Sequence, residues 1–268
     1  MPATVLCGVV VRCMEEGEQV EFQERLESLR SLAYGAPSPA AWGELCGHLH
    51  ALGGKEVDMA LDYVAPHVLK WPAELRKHRC AGMSLLDKPL PKHWPLVASY
   101  WMDCLGAEPI VRLGQSPVLS NIEHLHVCLE DGKESDLDEY SCAALAESPA
   151  LSSLTRLYFP GFDTYHSMYH NGAMNLGKAL ANASFKGKLS RLDLRGQWVG
   201  DILKTKDAVH PLMKFIEEET GLSHLDFAWS GGEMSGLYQP GGRSADPCSV
   251  GQRLSNLAMG GKCTGTAW

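Results

Sequence analysis

Apolar positions recur at helical spacing from about residue 18 to 106. Phe22, Leu26, Leu29 and Ala33 share one face of a first segment, which Gly35 and Pro37 end. Ser38 stands at an N-cap position, Pro39 at the first helical position, and Trp42, Leu45, Cys46, Leu49 and Leu52 form a stripe that Gly53 closes, so a helix is predicted over about 39–52. Val57, Ala60, Leu61 and Val64 predict a third helix ending at Pro66. Trp94, Val97, Trp101 and Leu105 predict a fourth ending at Gly106. Trp71-Pro72 and the proline-studded 89–95 stretch read as connections, and Val5–Val11 as a buried strand. Residues 1–110 are thus expected to form a mainly helical N-terminal domain.

From about residue 116 the period changes. Four copies of L-x-x-L-x-φ, with φ apolar, occur at Ile122/Leu125/Val127, Leu154/Leu157/Phe159, Leu189/Leu192/Leu194 and Leu222/Leu225/Phe227. Their central leucines are 32, 35 and 33 residues apart. Ser116-Pro117-Val118-Leu119 and Ser148-Pro149-Ala150-Leu151 lead into two copies, and helix-like apolar groups such as Leu176/Ala179/Leu180 lie between copies. A strand, a turn and a helix therefore make the repeating unit. One such unit cannot cover its own apolar face, so the copies must stack.

These four copies resemble the leucine-rich repeat family, in its long ribonuclease-inhibitor-like class, over about residues 116–230. The resemblance implies an α/β solenoid with parallel strands on a concave side and helices on a convex side, spanning residues 111–230. Glu130, Phe162, Gln197 and Ser230 replace the family's asparagine after the strand, so no regular asparagine ladder is expected. Thr164–Asn171 reads as an insertion in the second repeat, and the helical domain as a cap. Residues 231–268 form a glycine-rich tail, irregular apart from a short helix carrying Val250, Leu254, Leu257 and Ala258.

Charge and cysteine usage narrow the class. The net charge of −8 is spread without basic runs, which disfavours nucleic acid and anionic lipid as partners. Nine cysteines without a C-x-x-C pair fit neither a disulfide framework nor a zinc ribbon, so a reducing, cytoplasmic setting is expected. Val5–Val11 is too short to span a bilayer.

Candidate chemistry is thin. Gly172–Ala179 satisfies G-x-x-x-x-G-K but has alanine where a phosphate loop needs a hydroxyl, and no apolar strand precedes it. His124, His126 and Cys128 alternate along one predicted strand, yet Arg156 on the next is a poor neighbour for a cation. His48/His50 and His166/His170 lack a third ligand, and the acidic run from Glu130 to Glu139 lacks the pattern of a calcium loop. No G-x-S-x-G or H-E-x-x-H motif is present. Neither a catalytic centre nor a metal or other cofactor is expected.

What remains is the polar side of the strands, where x positions point away from the leucines. The expected partner-binding residues are His124, His126, Arg156, Tyr158, Arg191, Asp193, Arg195, His224 and Asp226. A compact patch of Arg156, Arg191, Tyr158 and Asp193 is expected to contact another protein, with no small-molecule substrate. The alternatives are a glycine-rich tail that is itself recognised or cleaved, and a hydrolase whose catalytic groups meet only in space.

Overall fold

A computed structural model describes residues 16–104, 107–129, 139–158, 176–194, 211–219, 221–229 and 232–237. Two compact units divide the chain, one made of residues 1–76 and 90–97, the other of 77–89 and 98–268.

The first unit holds helices α1 (Glu16–Tyr34), α2 (Pro39–Ala51) and α3 (Gly54–Val68). The Ser38 hydroxyl accepts from the Ala41 amide at 3.1 Å and starts α2, as its sequence predicts. Phe22, Leu29, Trp42, Leu45, Leu49, Val57, Ala60 and Val64 are buried, so most of each expected stripe is core, while Leu26, Cys46 and Leu61 are half-buried. Two helix ends differ from expectation. Gly53 is extended (φ −97°) and serves as N-cap of α3, its amide donating to the Glu56 carboxylate at 2.8 Å, rather than closing α2 from a left-handed conformation. Helix α3 continues through Pro66 to Val68, because a proline in the last turn removes a single backbone bond and the Leu69 amide still reaches the Ala65 carbonyl at 2.9 Å.

The second unit is α/β. Strands β1 (Lys77–Ala81), β2 (Ser99–Cys104), β3 (His124–Leu129), β4 (Arg156–Tyr158), β5 (Arg191–Leu194) and β6 (His224–Trp229) are parallel and lie side by side in chain order. A seventh, β7 (Gly232–Leu237), pairs antiparallel with β6. The helices between strands are α4 (Gly82–Asp87), α5 (Ala107–Gly114), α6 (Glu139–Ala146), a stretch at 176–181, and α7 (Pro211–Glu218). Leu125, Leu157, Leu192 and Leu225 are partners in register and all buried, as the repeat predicts. Ile110, Leu113, Leu145, Leu176, Leu180, Leu212, Phe215 and Ile216 from the helical segments are buried as well.

Two expectations are corrected here. The helix predicted from Trp94 to Leu105 is a single 3-10 turn (Trp94–Leu96) followed by β2, and β1 also interrupts the supposedly helical first 106 residues. Val97-x-x-Tyr100-x-Met102 keeps the apolar spacing of the repeat with tyrosine at the central leucine position, whereas β1 has the polar His78 there. In register, His78, Tyr100 and Leu125 are successive partners. The start of the tail is likewise not irregular, because Gly232–Leu237 is β7. Val5–Val11, the Thr164–Asn171 insertion and the 250–258 helix lie outside the described residues.

Candidate functional site

Strand register puts the polar x positions into rows. One runs Lys77, Ser99, His124, Arg156, Arg191, His224, and the next Arg79, Trp101, His126, Tyr158, Asp193, Asp226. The nominated residues among these therefore lie on neighbouring strands. Their environments fall into two halves.

Over β1–β4 the row is aromatic. Trp101 and His126 stack with ring centroids 4.2 Å apart and planes 12° from parallel, and His126 meets Tyr158 at 5.4 Å and 36°. A 4.2 Å step close to the strand spacing means that the Trp101 and His126 rings stand upright on the sheet, faces toward each other and rims outward. The Lys77 ammonium lies 3.6 Å from the Trp101 ring centroid. Arg79 makes a forked contact to Asp103, with Nε at 3.1 Å from both carboxylate oxygens and Nη2 at 2.9 Å from Oδ1. Burial, and then the electrostatic influence of His124, Lys77, Arg191 and Arg156, push the His126 pKa down to about 4. At neutral pH its ring is therefore uncharged.

Over β5 and β6 the polar face is bound up within itself. Asp226 is fully buried, and Oδ2 of its carboxylate accepts from Arg191 Nε at 2.9 Å and Nη2 at 2.6 Å. Among the described residues its Oδ1 has no hydrogen-bond partner. Asp193 and His124 are also buried, at 4% and 5% exposure. These three residues do not offer the open contact surface expected of them, and the Arg191 fork is turned on Asp226. His126, Arg156, Tyr158, Arg191 and His224 are half-buried. Arg195 lies outside the described residues.

Lys77, Arg79, Trp101 and Asp103 are the members that sequence reasoning missed. For Trp101 and Asp103 the signal was the degenerate copy around Tyr100. A second missed feature joins the starts of the strands. Thr155 Oγ1 donates to the Glu123 carbonyl at 3.3 Å, Ser190 Oγ to Thr155 at 3.0 Å, and Ser223 Oγ to Ser190 at 3.0 Å. These carbonyls also accept from two consecutive backbone amides of the next strand, as when Glu123 takes both Thr155 and Arg156. A hydroxyl ladder thus binds the copies together, and it is legible as L-[ST]-[RH]-L at 154–157, 189–192 and 222–225.

The phosphate-loop lookalike has a packing explanation. A Cβ on Gly177 would sit 2.2 Å from the Leu212 backbone nitrogen, so the glycine permits close approach of two backbones, and Leu176, Ala179 and Leu180 are core. Residues 172–175 lie outside the described residues. Among the described residues no three His, Cys, Asp or Glu side chains converge as metal ligands, and no helix is long and apolar enough to cross a membrane. Burial pushes the Cys46 thiol up to about 12 and raises that of Cys80, which suits neither for thiolate chemistry.

No family model, curated protein or solved structure matches the chain.

Proposed function

We propose that the second unit is a short leucine-rich-repeat solenoid that recognises another protein on the polar face of its sheet and performs no reaction of its own. The observation that carries this reading is the ladder Trp101–His126–Tyr158, three half-buried rings fixed on adjacent strands. Rigid aromatic side chains give contact area at little cost in conformational entropy, and a parallel sheet in chain order offers an extended platform for them. The absence of a C-x-x-C pair favours a cytoplasmic setting for this role.

The test uses the full chain as bait in quantitative cross-linking, followed by titration of the captured protein. Trp101→Ala with Tyr158→Ala should weaken binding by at least about 2 kcal/mol, roughly thirtyfold. Lys214→Ala, on the exposed side of α7, should leave it unchanged. Equal affinity in all three proteins, each with the wild-type melting temperature, would remove the ladder from the interface.

A further inference from the structure

We propose that Leu254–Met259 is a further copy of the repeat and competes with β7 for the edge of β6, so that the sheet ends either in an antiparallel hairpin or in a seventh parallel strand. The site is the far edge of the sheet, apart from the aromatic ladder. Beyond the described residues the chain reads Leu254-Ser255-Asn256-Leu257-Ala258-Met259, which satisfies L-x-x-L-x-φ. Leu257 stands 32 residues after Leu225, the spacing that also separates Leu125 from Leu157. Val250 precedes Leu254 by four residues, as the buried Phe185 precedes Leu189.

The same apolar positions fit a helical period, so the choice between helix and strand falls to β6. It suits a parallel neighbour in three respects. The hydroxyl ladder through Thr155, Ser190 and Ser223 uses the residue after the first apolar position of each copy, and Ser255 holds that place. By the same rule the Ser255 hydroxyl and the Ser255 and Asn256 amides would donate to the Ser223 carbonyl, as Ser223 and His224 do to Ser190. Asp226 supplies the second respect. Arg191, on the strand before it and in the neighbouring row, holds its Oδ2, while the buried Oδ1 has no hydrogen-bond partner among the described residues. Asn256 takes the matching place on the other side, in the row of Arg191 and His224, and its side-chain amide carries the N–H that Oδ1 lacks. Thirdly, β7 sets Gly236 beside the buried Leu225, where the line of Leu125, Leu157 and Leu192 calls for Leu257.

The two endings exclude each other, because the other edge of β6 is paired with β5. They also draw on opposite terms. Two residues separate β6 from β7, so the hairpin closes a short loop, whereas 24 residues separate Trp229 from Leu254 and make a longer crossover. The parallel copy offsets that entropy with the apolar side chains it adds to the stack.

Hydrogen exchange resolved by peptide tests the competition. Deleting residues 251–268 removes one competitor, so the amides of Gly232–Leu237 should exchange at least about threefold more slowly than in the full chain. Leu257→Asp, which keeps the chain at full length, should do the same, because a buried register position rejects a charge. Gly236→Pro should act in the opposite sense and slow exchange over 254–259, since proline cannot hold its place in β7. In the double variant His224→Cys/Asn256→Cys, oxidised in air, peptide mass spectrometry should find the 224–256 disulfide, as parallel partners about 4.8 Å apart lie within its reach. Exchange over 232–237 that is unchanged or faster in both the truncated chain and Leu257→Asp would overturn the competition. Absence of the 224–256 disulfide would overturn the parallel register.

Discussion

Arg191 and Asp226 illustrate how residue type and residue role part company. An arginine on the polar side of a strand reads as an interface residue, but here its fork is held by a carboxylate on the next strand that water does not reach. Nothing in one sequence distinguishes an arginine aimed at a partner from one aimed at its neighbour, because both need the same alternation. Arg191→Ala should destabilise the fold by about 2–3 kcal/mol in urea denaturation, since it strands a buried carboxylate. Adding Asp226→Asn should restore part of the loss, and a single variant as stable as wild type would show that the pair contributes nothing. His126 makes a pH-dependent contribution. With its folded pKa lowered to about 4 from an ordinary value of 6.5, the unfolded chain takes up the proton first. The stabilisation is fully present above about pH 6.5, declines as the pH falls toward 4, and amounts to at most about 3 kcal/mol. His126→Phe, which keeps a ring in the stack but cannot titrate, should flatten that part of the stability-versus-pH curve.

At the scale of elements, what was legible depended on how pure the repeat was. The copies centred on Leu125, Leu157, Leu192 and Leu225 gave strands in the expected register, since leucine at a fixed period has no other economical explanation. The two preceding strands were hidden because His78 and Tyr100 occupy the leucine position, and Trp94, Val97 and Trp101 happen to fall at helical spacing. Short apolar runs of this kind satisfy both periods until their neighbours are known. Leu192→Ala should cost about 2–5 kcal/mol, as for other buried leucines, and a change below about 0.5 kcal/mol would place it outside the core. Glycines tell a second part of the story. A Cβ on Gly114 would fall 2.2 Å from the Ala144 carbonyl oxygen, and Gly177 meets Leu212 as closely, so glycine sets how near the helical segments approach. Gly177→Ala is expected to lower stability by about 1–3 kcal/mol through overpacking. Calorimetry with ATP and magnesium is expected to give no binding heat for either the wild type or this variant.

For the whole molecule, chain order and spatial order coincide along six parallel strands, and the last step breaks the rule. An ordered stack of parallel strands is an unfinished object. Its terminal strand, His-Leu-Asp-Phe-Ala-Trp, carries the β-favouring Phe227 and Trp229 and, without a neighbour, would offer a bare row of amides and carbonyls to a second chain. Strand β7 reverses direction and occupies that row with Gly-Glu-Met-Ser-Gly-Leu, a sequence whose two glycines and glutamate make a poor template for further pairing. Pairing with β7 is therefore expected to limit association through the β6 edge. A chain ending at Ser230 should remain folded when dilute, yet form concentration-dependent oligomers by sedimentation and bind thioflavin T on standing, where the full-length protein does neither.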